Sequence, residues 1–292
     1  MNETAKILKL SDGRTLAFAE YGDPDGVPVF YFHGAPSSRL EPMAIGEDAL
    51  ARIGLRVIAP DRPGIGMSEF QPGRGFSNWP DDVVELADFL HLRRFALLGN
   101  SGGGSYVLAC AARIPERVTA AVIVSCGWRM DAPEVKENLP LVNRIFWILA
   151  RRFPPGLRLL LNTMRNPSRS SREVELEKLR PHLPAADLSA MAEPGRIEAL
   201  QGAIQECLRG GTEGAAWDVR LYVHPFDFDF AEAKIPIHFF RGAQDRNVPI
   251  ALARRMVRQI PSATITEFPI DGHFSTLSMH IDEISARLTT QR

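Results

Sequence analysis

The sequence predicts an α/β fold with a mostly parallel central sheet flanked by helices. Three observations carry that expectation. Short β-rich apolar runs alternate with helical patterns through the first half of the 292-residue chain, the alternation returns in residues 234–292, and residues 128–233 between them read as helix alone. In chain order, "TLAFAEYG", "VPVFYFHG", "LRVIAPD", "RFALLGN" and "VTAAVIVS" read as strands. Among them "EDALARIG" and "DDVVELADFLHL" carry apolar residues at helical spacing, and "GGSYVLACAARIP" is a helix that stops at Pro115. "IPIHFFRG" and "ATITEFPI" are two later strands, separated by "PIALARRMVRQIP", whose leading proline suits a first helical turn. "STLSMHIDEISARL" reads as one amphipathic helix. The expected organisation is a core built from residues 1–127 and 234–292, with a helical insertion at 128–233 broken by Pro154, Pro155, Pro167, Pro181 and Pro194.

Composition narrows the partners. An apolar fraction of 45% is that of an ordinary globular chain, and a formal net charge of −1 gives no global reason to expect nucleic acid or an anionic membrane. Three cysteines, Cys110, Cys126 and Cys207, cannot complete a disulfide set, which points to a reducing, cytoplasmic setting. The opening "MNETAKILKLSDGRTLAF" lacks the pattern of a secretory signal, and no window reaches the apolar length of a membrane span. One local bias stands out: residues 138–172 hold seven arginines and no acid, interleaved with "IFWILA" and "LRLLL". That run reads as the solvated basic face of a helical pair, or as a surface for an anionic ligand, a membrane interface or a subunit partner. A homo-oligomer is left open.

The chemistry begins at "LLGNSGGGSY". A Gly-rich turn between strand and helix can cradle a phosphate. A Walker-type loop needs a Lys after its last glycine, where this chain has Ser105 and Tyr106, and the dinucleotide pattern G-x-G-x-x-G fails at Val107. What fits is G-x-S-x-G over Gly99, Asn100, Ser101, Gly102 and Gly103, a corner that pushes a serine hydroxyl outward. A plain strand-to-helix turn would look similar, so other residues must decide. A serine nucleophile needs a base, an acid to orient it and N–H donors for the oxyanion. Asp245 follows the strand in "IPIHFFRGAQDRNVP", and His273 follows the last strand in "FPIDGHFS". Asp271 could compete for His273, but strand-end neighbours tend to point apart.

The order Ser, Asp, His in these contexts resembles the α/β-hydrolase superfamily over nearly the whole chain. "FHGAP" looks like the family's oxyanion loop and "DRPGIGMS" like its D-x-x-G-x-G-x-S turn, while "GAQDRNVP" and "DGHF" correspond to the acid and histidine loops. The resemblance implies an α/β-hydrolase fold with a helical cap inserted between strands six and seven, and the catalytic residues Ser101, Asp245 and His273. It implies oxyanion donors at the backbone N–H groups of Ala35 and Gly102. His33 and Gly34 would support that loop, and Asp61 would tie down its own turn. His238 alternates within an apolar strand and reads as a core or sheet-end residue. His91, His182, His224 and His280 show no carboxylate or cysteine at ligand spacing, so neither a metal nor any other cofactor is expected.

The implied reaction is acyl transfer to water on an ester or similarly activated carbonyl. Relatives that open epoxides or displace halide carry aspartate at the elbow, and prolyl aminopeptidase relatives carry a "GGSWG"-like elbow; neither matches. "GNSGG" also resembles the "GNSMGG" elbow of hydrolases that cleave carbon–carbon bonds in dienone acids, although those have tryptophan after the histidine where this chain has Phe274. Some members of the fold are ligand receptors or scaffolds instead. The expected partner is a small, hydrophobic molecule, received by "IFWILA", "LRLLL" and some of Trp217, Tyr222, Phe226 and Phe228; the arginine run could instead recruit a carboxylate.

Overall fold

The computed structural model describes residues 5–126, 129–166 and 171–289. The expected boundary at 127/128, Pro167 and one arginine of the basic run, Arg169, lie outside these residues.

Eight strands form one sheet in the order β1-β2-β4-β3-β5-β6-β7-β8. They are β1 (Lys6–Lys9), β2 (Thr15–Gly22), β3 (Val27–Phe32), β4 (Leu55–Pro60), β5 (Phe95–Asn100), β6 (Val118–Val124), β7 (Ile237–Gly242) and β8 (Ala263–Phe268). β1 with β2 and β2 with β4 pair antiparallel; every later pairing is parallel. A parallel sheet needs both faces covered, and the central strands supply two apolar faces. On β3, Phe30 and Phe32 join one core with Leu97, Ile123 and Phe239. Val29 and Tyr31 join the other with Val57, Leu98, Val122 and Phe240. The period of two along the strand sorts them.

Helices α1 (Glu47–Arg52), α2 (Trp79–Phe89) and α3 (Gly103–Arg113) belong to the first half. Trp79, Val83 and Leu86 of α2 and Tyr106 to Ala111 of α3 close the first core. Between β6 and β7 the chain forms seven helices among the described residues: α4 (Pro133–Asn138), α5 (Leu141–Arg152), α6 (Pro154–Thr163), α7 (Arg172–Leu179), α8 (Ala185–Ala192), α9 (Arg196–Cys207) and α10 (Glu213–Leu221). Helix α11 (Ile250–Val257) follows Pro249 as the sequence predicts. No helix among the described residues is long and apolar enough to cross a membrane.

One strand went unread and one expectation needs correction. β1 carries no signal of its own, because "KILK" is a short edge strand, mostly exposed. The single terminal helix is two, α12 (Ser275–Met279) and α13 (Ile281–Thr289), broken at His280. The His280 ring stacks on Phe268 at 3.5 Å between centroids and bonds the Asp271 carboxylate at 2.6 Å. These tertiary contacts hold His280 at φ −117°, outside the helical range.

Candidate active site

Ligand-binding residues of an open parallel sheet gather beyond the carboxyl ends of its strands, and here four such ends converge. Ser101 follows β5 with φ +50°, a left-handed conformation rare for a non-glycine residue. Its N–H donates to the Val124 carbonyl of β6 at 2.8 Å, which holds the corner against the sheet. The corner is tight enough that a Cβ on Gly99 would lie 2.7 Å from the Gly103 carbonyl carbon. Glycine permits that close passage of helix over strand.

The Ser101 hydroxyl lies 3.1 Å from His273 Nε2, beyond β8. His273 Nδ1 lies 2.9 Å from Asp245 Oδ2, in the loop after β7. The other Asp245 oxygen accepts N–H bonds from Asn247 and Val248, both at 2.8 Å. Burial alone would raise the Asp245 pKa, but His273, Arg241 and these N–H donors outweigh it and hold the carboxyl below its ordinary value. An ionised Asp245 accepts the Nδ1 proton and leaves Nε2 free to accept from serine. Burial lowers the His273 pKa, the Asp245 charge raises it more, and the net direction is upward from 6.5.

Ala35 and Gly102 flank the serine. A Cβ on Gly102 would fall 3.1 Å from the Ala35 Cβ and 2.7 Å from the Tyr222 hydroxyl. Gly102 is the N-cap of α3, so its N–H has no intrahelical acceptor. The Gly34 N–H donates to Glu41 Oε2 at 2.9 Å. His33 is fully buried, with Nδ1 2.8 Å from the Gly34 carbonyl. Burial, with the Arg62 charge beside it, pushes its pKa well below 6.5, so the ring is neutral. Asp61 accepts from the Arg39 N–H and guanidinium and from the Met67 N–H, which ties its turn as expected. Asp271 points to His280 rather than His273. His280 therefore has two acidic neighbours: Asp271, nine positions back, and Glu283, an i,i+3 neighbour that the sequence already places at ligand spacing. His238 bridges to Thr264 and Thr266 of β8. No group of three or more His, Cys, Asp or Glu is arranged to hold a metal among the described residues.

Buried polar contacts that no sequence pattern marks surround the site. Glu41 also accepts from the Tyr31 hydroxyl at 2.7 Å and the Asn100 amide at 2.8 Å. Arg62 donates to the carbonyls of His33 (2.7 Å) and Gly34 (2.8 Å) while pairing with Asp218 of α10 at 2.8 Å. Asp218 also takes Arg74 at 2.7 Å and the Tyr106 hydroxyl. Tyr222, just beyond α10, donates to the Gly102 carbonyl at 2.7 Å. Arg62 lay inside a recognisable turn; Glu41 and Asp218 lay in no motif.

The serine opens into a cavity of about 480 Å³ walled by Phe146, Trp147, Met191, Leu200, Ile204 and Tyr222. Among the described residues no arginine or lysine lines it; its carboxylates are Glu41 and Glu175. From "IFWILA" Phe146 and Trp147 reach the cavity, whereas Leu157 and Leu161 of "LRLLL" are core and Leu159 and Leu160 face solvent. Of the four aromatics near the return to the sheet, only Tyr222 lines it. Phe226 and Phe228 pack on Phe76, and Trp217 packs on Phe70. Arg151, Arg152, Arg158 and Arg165 are exposed, and Arg151 pairs with Asp131.

Comparison with known proteins agrees with this architecture. A family model described as the alpha/beta hydrolase fold matches residues 27–278. Over 262 residues the chain is 26% identical to a 2-hydroxymuconate semialdehyde hydrolase of Pseudomonas putida, covering 87% of this chain and 83% of that one. A non-heme chloroperoxidase of Streptomyces lividans is 39% identical over a 118-residue stretch that is 39% of this chain and spans 42% of that protein. A thermophilic esterase from Thermogutta terrifontis superposes with a TM-score of 0.64 at 24% identity, over 96% of this chain and 95% of that one.

Proposed function

Because the chain belongs to the α/β-hydrolase fold family, we propose that it is a serine hydrolase that cleaves esters of neutral, apolar acyl groups through an acyl-enzyme on Ser101. The observation that carries this reading is the relay from Ser101 through His273 to Asp245, at 3.1 and 2.9 Å, opening into a largely apolar cavity lined by no arginine or lysine among the described residues. His273 Nε2 takes the hydroxyl proton as Oγ attacks the carbonyl carbon, and the oxyanion meets the N–H groups of Ala35 and Gly102. The tetrahedral adduct collapses, and the imidazolium returns its proton to the departing alcohol. His273 then deprotonates water, which attacks the acyl-enzyme; as the second adduct collapses to the carboxylic acid, the imidazolium returns its proton to Ser101 Oγ. The helices between β6 and β7 act as the cap, and three buried cysteines, none of them in a disulfide, support a reducing, cytoplasmic setting.

Carbon–carbon hydrolysis of an acid substrate is the second reading, supported by the Pseudomonas putida relative. Its substrate would enter a cavity whose acidic lining residues are Glu41 and Glu175, the latter paired with Lys178 at 2.7 Å, and where no guanidinium fork for a carboxylate lines the wall among the described residues. A direct comparison separates the two. For p-nitrophenyl butyrate and an ester of matched size ending in a carboxylate, kcat/KM is expected to favour the neutral ester by about tenfold or more. A carboxylate ester preferred by that margin, with the preference shrinking in salt, would favour the second reading. A protein that turns over neither ester would fit a receptor or scaffold.

The pH profile offers an independent check. Only neutral His273 accepts the serine proton, and its pKa is raised above 6.5, so activity is lost as pH falls through a midpoint above that value. An acid limb well below 6.5 would contradict the assignment of His273 as the base.

A further inference from the structure

The loop that carries His273 is held from the helical insertion. Asp187 of α8 is 1% exposed. Its Oδ2 accepts the His273 N–H at 2.9 Å, and its Oδ1 accepts the N–H groups of Phe274 (3.1 Å) and Ser275 (2.9 Å) and the Ser275 hydroxyl (2.7 Å). That hydroxyl in turn accepts the Gly272 N–H at 2.9 Å. Four consecutive N–H groups therefore end on one carboxylate, directly or through one hydroxyl. Every group facing Asp187 in these bonds is a donor, which suits a carboxylate that only accepts.

A second observation concerns the glycine of "DGHF". Gly272 does not take a left-handed φ, so its backbone does not demand glycine. A Cβ there would overlap both Asp187 oxygens; the glycine makes room for the carboxylate. Met191, one turn further along α8, lines the cavity. One helix thus touches the substrate space and grips the histidine loop.

We propose that Asp187 is the positioning residue for His273, fastening its loop to α8 so that Nε2 meets the Ser101 hydroxyl when that helix is seated over the cavity. The proposal rests on the Ser101–His273–Asp245 reading above. The charged groups acting on His273 are Asp245 and Arg241 from the β7 side and Asp187 from α8. Among them Asp187 is the one supplied by the helical insertion.

The test uses the full chain and p-nitrophenyl butyrate. Asp187→Asn keeps the shape, replaces one acceptor by a donor facing N–H groups, and removes a negative charge beside His273. Expected is a loss of about 10- to 100-fold in kcat, the scale of a reacting group misplaced by about 1 Å, with KM changed less than about twofold because no cavity contact is lost. The acid limb of kcat/KM should also move to lower pH, as a merely structural contact would not require. Gly272→Ala should cause a similar kcat loss alone and no further loss in an Asp187→Ala background, where the atoms its methyl would meet are gone. Wild-type kcat and an unmoved acid limb in Asp187→Asn, or independent multiplication of the two alanine effects, would overturn the proposal. Labelling each variant to completion with a fluorophosphonate reports the folded fraction and keeps a folding defect apart from a positioning defect. If wild type itself is not labelled at Ser101, the underlying reading fails; if it is labelled and the Asp187 variants behave as wild type, the positioning role alone fails.

Discussion

Ser101→Ala is expected to lose on the order of 10⁶-fold in kcat toward p-nitrophenyl butyrate, the scale seen when a serine nucleophile is removed. The loss should leave the fold intact. Ser101 is only half-buried, and its N–H bond to Val124 at 2.8 Å belongs to the backbone and survives the substitution. Its φ of +50° persists with alanine, because the sheet and α3 impose it from either side. Residual hydrolysis would come from the oxyanion donors and binding alone. Steady-state kinetics checks this, and a variant keeping a tenth of wild-type activity would remove Ser101 from the mechanism.

The largest effect on stability is expected at Asp218. Asp218→Ala leaves Arg62 and Arg74 buried without their shared counter-charge, at side-chain exposures of 1% and 2%. Breaking a buried pair by removing one partner costs about 3–5 kcal/mol, which for a chain of this size lowers the melting temperature by roughly 10 °C. Burial pushes the Asp218 pKa up, but Arg62 and Arg74 pull it far below the ordinary carboxylate value. A depressed native pKa gives stability that is present above the unfolded pKa and lost only as pH falls toward the native one, so the full effect should appear at neutral pH. Activity should fall as well, because Arg62 anchors the carbonyls of His33 and Gly34 beside the expected oxyanion donor Ala35. Thermal melting at neutral pH measures the first effect, and a change below about 1 kcal/mol would show that the cluster is not held by this carboxylate.

What the sequence disclosed follows from where each signal is stored. The strands from β2 onward were legible because they combine apolar, β-rich runs with turn residues at their ends. β1 was not, being four residues at the sheet's edge. The break between α12 and α13 depends on Phe268 and Asp271 meeting His280 in space, and helical periodicity in "STLSMHIDEISARL" carries no trace of that. Ser101, Asp245 and His273 could be singled out because each sits in a local turn after a strand, where spacing is informative.

The supporting shell is different in kind. Asp187 reaches His273 across 86 positions, and Asp218 reaches Arg62 across 156. Long-range pairings of this sort leave no pattern in a single chain. The cap aromatics show the same limit: composition identified an apolar supply, but packing against Phe76 and Phe70 drew Phe226, Phe228 and Trp217 away from the cavity. Glu41 could not be read either, since its partners Tyr31, Gly34 and Asn100 come from two strands and a loop.

The proposed hydrolysis rests on Ser101 being an activated nucleophile. Incubating the wild-type protein with a fluorophosphonate and measuring the intact mass, then mapping the modified peptide, tests it most directly. Expected is one adduct per chain, located on Ser101, formed in step with loss of esterase activity and absent from Ser101→Ala. An esterase that stays active and unlabelled, or an inactivating adduct on a different residue, would contradict it.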